Sequence, residues 1–153
     1  EEALHERMES GLPCAILRLA KVVAPDTALL RGWVDALRNR RPVQAFHDMM
    51  AAPIPIAQVA KAIAALLDDH ARGIFQLSGP RDVPYDDLAR ALARRLGVDS
   101  NLVQPVSARS VGMAPAATPP HSTLDSRLLA DRYGLTVPDA FDVLADALIG
   151  QTN

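Results

Sequence analysis

Residues 42–79, PVQAFHDMMAAPIPIAQVAKAIAALLDDHARGIFQLSG, carry the pattern that decides the fold. The apolar run at 43–46 predicts a short strand. The polar residues of a loop follow, and Pro53 and Pro55 prevent a helix from beginning before the second proline. The first half of this stretch is therefore predicted to be a strand and a loop.

A helix and a second strand complete the stretch. Apolar residues recur at helical spacing on one stripe of a helix of about three turns; they are Ile56, Val59, Ala60, Ile63, Leu66 and Leu67. Gly73 ends the pattern, and the apolar residues at 74–77 predict a buried strand. A helix that crosses between two apolar strands predicts an α/β layer in which the strand ends and the Asp48 loop border a ligand cleft.

The rest of the chain adds further helices and strands. The run at 15–23 is almost continuously apolar, which is typical of a strand buried on both faces of a parallel sheet. Thr136 followed by Asp139 resembles a capping box for a last helix that ends at Gly150. The other predicted elements are the end of a helix at 1–10, stopped by Gly11 and Pro13, helices at 27–38, 85–96 and 124–133, a strand at 102–106 and a loop at 107–121.

Length and composition exclude several classes of protein. The chain has 153 residues, of which 49% are hydrophobic, so it is the size of one domain with a real core. Only 4% of the residues are aromatic and the net charge is −2, which argues against a nucleic-acid partner. No run approaches the roughly 20 apolar residues of a membrane span, so we expect a soluble, cytoplasmic protein without a membrane partner. Cys14 is the only cysteine, so an internal disulfide is excluded.

No catalytic constellation is evident in the sequence. The four histidines do not occur in HExxH or another tight metal-ligand spacing, and GxSxG, GxGxxG and GxxxxGK[ST] are absent. We therefore predict no catalytic, cofactor-binding or metal-binding residue within this chain.

Five residues are candidates for substrate binding, each with a structural alternative. Arg18 interrupts an apolar run and needs either a structural salt bridge or an anionic ligand. Trp33 is either a core residue or a stacking surface for a sugar or base. Arg41 belongs to a basic cluster at a helix end, which is either solvated or binds phosphate. His47 and Asp48 lie in the loop between apolar elements, where Asp48 either stabilises the loop or contacts a ligand.

The order of the segments resembles the C-terminal half of an extended short-chain dehydrogenase/reductase. It is most similar to the group that includes dTDP-4-dehydrorhamnose reductase and related sugar-nucleotide reductases and epimerases. The resemblance rests on CAILRLAKVVAP (14–25), VQAFHDMMAAPIPIAQVAKAI (43–63), GIFQLSGPRDVPYDDLARALARRLG (73–97) and STLDSRLLADRYGL (122–135). It covers almost the whole chain, although Val23 and Ala24 replace the tyrosine and glycine of the family's turn.

The resemblance implies a fold and a function. The fold is the C-terminal part of a Rossmann-like doubly wound sheet plus a small α/β substrate-binding lobe, within a single unit of residues 1–153. The function is to bind a nucleotide sugar, such as a dTDP-4-keto-6-deoxy sugar, in an NAD(P)-dependent reductase or epimerase. Helix 27–38, the Asp48 loop and the 107–121 loop would close on this substrate.

The same resemblance implies that some parts lie outside this chain. In the family, a Gly-rich loop holds NAD or NADP, and a Ser or Thr with a YxxxK pair transfers the proton; all would precede Glu1. The chain starts without a methionine and inside a predicted helix, so we expect part of a longer protein, although a trimmed or proteolysed chain would look the same. The fragment alone is expected to bind no cofactor and to show no turnover. The resemblance also allows a homodimer.

Two other functions are compatible with the sequence. The first is a non-catalytic relative in which the same fold serves as a regulatory or scaffolding subunit. The second is a free-standing small binding domain, which the interrupted first helix makes less attractive. An intact YxxxK motif upstream of Glu1 would separate the reductase or epimerase from the non-catalytic relative, and a native start codon just before Glu1 would support the free-standing domain.

Overall fold

The computed structural model describes residues 14–149, together with residues 4, 6 and 11. Its strands are β1 (Ala15–Leu19), β2 (Val22–Val23), β3 (Val43–Phe46), β4 (Met50–Ala51), β5 (Ile54–Pro55), β6 (Gly73–Leu77), β7 (Val83–Pro84) and β8 (Val103–Val106). Its helices with described bounds are α1 (Ala28–Arg38), α2 (Ile56–Asp68), α3 (Tyr85–Arg95), α4 (Arg127–Tyr133) and α5 (Ala140–Ile149). Leu4 and Glu6 are helical. The rest of the predicted helix at 1–10, its stop at Pro13 and the helix end at Gly150 lie outside the described residues.

The described strands pair in two-stranded sheets, most of them parallel. Strands β1 and β6 are parallel, with Ala15 opposite Gly73 and Leu19 opposite Leu77. Strand β2 pairs with β5 and β3 with β8, both in parallel, whereas β4 and β7 are antiparallel. Parallel pairs combined with helices make this an α/β fold, which confirms the predicted class.

Two hydrophobic cores organise the packing. The larger core contains residues of α1, α3, α5 and the β3–β8 pair, and these elements form a small α/β lobe. The second core contains residues of α2, β6 and α4, next to the parallel β1–β6 pair. This division agrees with the predicted combination of a Rossmann-like sheet portion and a smaller lobe.

The two strands that flank the central helix belong to different sheets, so the single layer predicted from residues 42–79 is wrong. Strand β3 pairs with β8, whereas β6 pairs with β1. Val43 and Ala45 of β3 lie in the larger core, while Phe75 and Leu77 of β6 lie in the second core. Both runs are short and apolar, so only contacts with distant elements determine which partner each strand takes.

The apolar run at 15–23 forms two strands instead of the one that was predicted. The Ala20 N–H donates to the carbonyl oxygen of Leu77 (3.0 Å), and the Lys21 carbonyl accepts from the Ile54 N–H (2.8 Å). The extended chain therefore changes its partner strand between Ala20 and Lys21. Burial on both faces was also predicted, but Ala15 and Leu19, which project from the same face of β1, are exposed.

Helix α2 carries one wide apolar stripe, as predicted, but only part of it is buried. The part toward the second core consists of Val59, Ala62 and Leu66. The adjoining outer face presents Ile56, Ile63 and Leu67, which are exposed to 55%, 47% and 68%. Exposed apolar residues that continue a buried stripe are typical of a surface that another element covers.

Helix α4 begins at Arg127, later than the predicted start at Leu124. The Leu124 N–H donates to Ser78 Oγ (2.9 Å), and the Ser78 hydroxyl donates to the Leu124 carbonyl (3.0 Å). These bonds hold Leu124 against the residue that follows β6, outside the helix.

Helix α5 begins at Ala140, and the capping box predicted at Thr136 is wrong. Asp139 Oδ1 accepts a hydrogen bond from the Phe141 N–H (3.1 Å), so Asp139 caps the helix. The Thr136 carbonyl instead accepts from Gln58 Nε2 of α2 (2.8 Å). A contact with a distant helix therefore holds Thr136 outside α5.

Candidate functional site

The chain changes its partner strand at the carboxyl end of the β1–β6 pair. Ligands of open α/β sheets bind beyond the carboxyl ends of the strands, where the topology switches. A narrow slot with a volume of about 40 Å³ lies beside this point. We call it the Trp33 slot; its lining includes Lys21, Val23, Thr27, Leu30, Trp33 and Tyr85.

Two aromatic rings form one wall of the slot. Trp33 of α1 is buried and meets Tyr85 of α3 edge to face, with ring centroids 6.3 Å apart. Burial raises the pKa of the Tyr85 phenol, so this group remains neutral over the physiological pH range. Trp33 is thus a core residue, which is one of the two roles weighed from sequence, and its ring borders the slot; the stacking role stays a prediction.

The turn after β2 forms without the glycine that the resembling family has there. The Ala24 N–H donates to Thr27 Oγ1 (2.9 Å), and the Thr27 N–H donates to the Ala24 carbonyl (3.0 Å). Ala24 has a negative φ, since the positive-φ residues other than glycine are Arg40 and His70. The turn therefore has no need of glycine, and it leads directly into α1.

Arg18 lies in the middle of β1, half-buried and opposite Gln76 of β6. It is not among the described residues that line the Trp33 slot. Arg18 therefore lies within the sheet, before the carboxyl end of β1.

His47 and Asp48 follow β3 and lie at the end of the β3–β8 pair. The His47 N–H donates to the Val106 carbonyl (3.1 Å), which extends the pairing by one residue. The Asp48 carboxylate accepts from Ser107 Oγ (2.6 Å) and from the Ala108 N–H (2.8 Å). The Ala108 amide, followed by the Ser107 hydroxyl, lowers the pKa of Asp48, so the carboxylate is ionised and engaged with the chain itself.

Arg41 follows α1 and forms an ion pair with Asp35 of that helix, and both side chains are exposed. Like Arg18, His47 and Asp48, it is not among the described residues that line the slot. The structure therefore brings only Trp33 of the five predicted residues to this slot.

The loop at 107–121 lies along the surface and is anchored at both ends. Asp48 binds its first residues, and Asp82 accepts hydrogen bonds just beyond its end, from the N–H groups of Ser122 (2.7 Å) and Thr123 (3.0 Å). Burial raises the pKa of Asp82, but the bonds from Ser122, His121 and Thr123 outweigh burial and bring it to about 2. Single 3₁₀ turns at Arg109–Val111 and Pro115–Ala117 interrupt the loop.

Sequence inspection missed Lys21, Thr27 and Tyr85 as neighbours of Trp33. A signal for Lys21 was present, because it is a charged residue inside the apolar run at 15–23. Thr27 and Tyr85 stand at the beginnings of helices, where their residue types are ordinary, so nothing in the sequence distinguished them.

Neither a metal cluster nor a membrane span is found in the described part of the chain. Its His, Cys, Asp and Glu residues form no group of three or more that could hold a metal ion. None of the helices searched there is both long and apolar enough to cross a membrane.

Solved structures with a similar fold include sugar-nucleotide enzymes. The dTDP-4-dehydrorhamnose reductase of Bacillus anthracis, solved with NADP, has a TM-score of 0.75 and 19% identity over 89% of this chain and 48% of its own. The dTDP-glucose 4,6-dehydratase of the same organism, solved with NAD, has a TM-score of 0.76 and 11% identity over 97% of this chain and 47% of its own. The UDP-N-acetylglucosamine 4-epimerase of Bacillus cereus has a TM-score of 0.71 and 11% identity over 97% of this chain and 50% of its own.

These similarities establish the fold over part of larger enzymes. The chain spans about half the length of the structures it matches. No curated protein matches the chain. The family model described as the RmlD substrate binding domain matches residues 1–149. Because this match covers nearly the whole sequence and agrees with the parallel α/β topology, the chain belongs to the RmlD substrate-binding domain family.

Proposed function

We propose that this chain is the substrate-binding portion of an NAD(P)-dependent reductase or epimerase that acts on a nucleotide sugar, such as a dTDP-4-keto-6-deoxy sugar. The observation that carries the proposal is the family match over residues 1–149. In this proposal residues 1–153 are the C-terminal portion of the enzyme, and a Rossmann portion precedes them.

The open side of the β1–β6 pair supports a missing neighbour. Parallel sheets are almost always larger and covered on both faces, so a two-stranded parallel pair is not expected to stand alone. The outer face of α2 adds exposed Ile63 and Leu67, which border an open cleft of about 430 Å³ together with Ala15 and Leu17 of β1. In this proposal the Rossmann portion covers the cleft and the open edge of β1.

No glycine-rich turn of the kind that binds a dinucleotide joins a described strand to a described helix. Dinucleotide sites use a glycine-rich turn between a strand and a helix, where the backbone approaches the pyrophosphate. Here β5 meets α2 at Pro55, and β7 meets α3 at Pro84, which has no N–H to donate. NAD or NADP would therefore be bound by the Rossmann portion, which would also supply the proton donor.

The nucleotide sugar is proposed to lie beyond the carboxyl ends of β1 and β6, against the Trp33 slot. Arg18, Arg41, His47 and Asp48 stay predicted substrate contacts. For Asp48 the structural alternative has the stronger support, because both carboxylate oxygens accept bonds from residues 107 and 108. For Arg41 the ion pair with Asp35 would have to open before it could bind phosphate.

The test is NADPH or NADH oxidation in the presence of a dTDP-4-keto-6-deoxy sugar. The polypeptide that contains this chain behind a Rossmann portion should oxidise the cofactor, and residues 1–153 alone should not. The proposal fails if the longer polypeptide does not bind a cofactor. Cofactor and dTDP binding without hydride transfer would instead favour a non-catalytic regulatory or scaffolding subunit.

A further inference from the structure

We propose that a rigid seam joins the two hydrophobic cores, so that the small α/β lobe does not rotate against the β1–β6 portion. The seam consists of residues 20–23, 51–55 and 77–79, which lie side by side between the cores. This rigidity is independent of the proposed function, because it concerns the mechanics of the fold, whatever ligand the chain binds. Its consequence is that the surface beside the seam is formed before a ligand arrives.

Each segment of the seam passes from one core to the other within a few residues. Val22 packs against the second core, and the next residue, Val23, packs against the larger core. Ala51 lies in the larger core, whereas Ile54, three residues later, lies in the second core. The third segment begins at Leu77 of the second core and leads to β7 in the larger core. The two cores are therefore joined by three short crossings at one place.

Backbone hydrogen bonds connect every segment of the seam to both of the others. The bonds run from the Ala20 N–H to the Leu77 carbonyl (3.0 Å), from the Ile54 N–H to the Lys21 carbonyl (2.8 Å) and from the Gly79 N–H to the Ala52 carbonyl (3.1 Å). Strands β2 and β5 also pair in parallel within the seam. Movement of one segment against its neighbours would break backbone bonds in the protein interior, where an unpaired group is costly.

The seam is also closely packed. Ala52 and Ile54 are 0% exposed, and the side chain of Pro53 is likewise fully buried. A Cβ at Gly79 would lie 3.0 Å from the Pro53 carbonyl oxygen, so the two backbones are in direct contact. Hinge residues absorb large changes in φ and ψ. The rings of Pro53 and Pro55 fix φ, and the packed interior leaves little space for such a change.

Ser78 connects the seam to the segment that precedes α4. This residue is 3% exposed. Its N–H donates to Ser126 Oγ (2.9 Å), and its hydroxyl oxygen accepts from the Leu124 N–H (2.9 Å). Loss of these partners would leave buried polar groups unsatisfied. Helix α4, which contributes Leu129 to the second core, is therefore held to the same seam.

Distances between pairs of nitroxide labels test the rigidity in residues 1–153, by double electron–electron resonance. Cys14→Ser removes the only native cysteine. The cross-core pair is Lys61→Cys on α2 with Arg94→Cys on α3, and the reference pair within the larger core is Arg31→Cys on α1 with Arg94→Cys; all three positions are exposed. We expect one peak for the cross-core pair, no wider than that of the reference pair. A second peak or a clearly wider distribution would overturn the rigid seam.

Two glycine variants test the cause of the rigidity. Gly79→Ala forces the seam backbones apart, so it should widen the cross-core distribution and leave the reference pair unchanged. Gly32→Ala is the matched control, because a Cβ there meets nothing within 4 Å, and it should change neither distribution. A folded Gly79→Ala chain with an unchanged cross-core distribution would overturn the role of this contact.

Hydrogen exchange of the wild type gives a second measurement that needs no variant. The amides of Leu37 in the larger core and Phe75 in the second core should exchange through the same global opening, with the same free energy. Exchange of one core while the other stays protected would show that the cores open separately and would overturn the proposal. The NADPH oxidation assay decides the proposed function separately from both measurements.

Discussion

Asp82 Oδ1 accepts hydrogen bonds from both the backbone N–H (2.7 Å) and the hydroxyl (2.8 Å) of Ser122, which lies 40 residues further along the chain. The same carboxylate also bonds Thr123 and faces His121. The turn before β7 is thereby joined to the segment that leads into α4. One partly buried carboxylate thus fixes where the long surface loop ends.

The stability of the chain should fall in acid because of Asp82. The pKa of Asp82 is ordinarily 3.8, and in the folded chain it is about 2. The stabilisation by the ionised carboxylate is therefore complete above the ordinary pKa and is lost as the pH falls from about 4 to about 2. The difference corresponds to about 2 kcal/mol of unfolding free energy. Asp82→Asn should be less stable than the wild type by about this amount near neutral pH, and the two should converge in acid.

Urea unfolding at a series of pH values measures this effect. Asp26→Asn serves as the control, since Asp26 is an exposed aspartate, and its pH profile should follow that of the wild type. A constant gap between wild type and Asp82→Asn down to the lowest pH would show that the carboxylate does not contribute through its charge.

Asp48 should hold the beginning of the 107–121 loop. Asp48→Ala removes the acceptor of the Ala108 N–H and of the Ser107 hydroxyl, so the Ala108 amide should exchange with solvent deuterium faster than in the wild type. Asp48→Asn keeps one acceptor oxygen and should give an intermediate rate. Unchanged exchange in Asp48→Ala would leave ligand binding as the better explanation for this residue.

Gly79 should not tolerate a side chain. A Cβ at this position would lie 3.0 Å from the Pro53 carbonyl oxygen and 3.1 Å from the Ala52 carbonyl carbon, both backbone atoms that move little. We expect Gly79→Ala to cost about 1–3 kcal/mol of unfolding free energy, measured in urea.

Gly32 of α1 is the matched glycine, because a Cβ there meets nothing within 4 Å. Gly32→Ala should be neutral or stabilise the chain by up to about 1 kcal/mol, since alanine favours the helix. Similar losses in both variants would mean that the contact with Pro53 is not the cause.

Two adjacent leucines of α2 should respond differently to truncation. Leu66 is 7% exposed and Leu67 is 68% exposed. Leu66→Ala should destabilise the chain by about 2–5 kcal/mol, because it leaves a cavity in the second core. Leu67→Ala should change stability by less than about 0.5 kcal/mol.

The exposure of Leu67 on the outer face of α2 can also be tested by the binding of a hydrophobic dye. If the cleft at Ala15, Leu17 and Ile63 is an open apolar surface, residues 1–153 should bind a hydrophobic dye, and Leu67→Glu should reduce this binding. Dye binding that is the same in both proteins would contradict an exposed docking surface.

Much of the fold was predictable from apolar spacing. All four stripe residues of α1 are buried; they are Leu30, Trp33, Val34 and Leu37. Leu88 and Leu92 of α3 are likewise buried, and the bounds of α2, β3 and β6 differ from the prediction by one residue or less. The strands β4, β5 and β7 were not predicted, because two residues are too few for a periodic pattern.

The sequence by itself determined which segments are helical or extended and which side of most helices is apolar, because these properties depend on neighbours only a few residues away. The tertiary structure decided which strands pair, since β3 and β6 are both short and apolar. It also decided that Lys21, Trp33 and Tyr85 meet at one slot, as these residues come from separate elements. Their proximity follows from the packing of α1 and α3 against the changeover from β1 to β2, which no local pattern records.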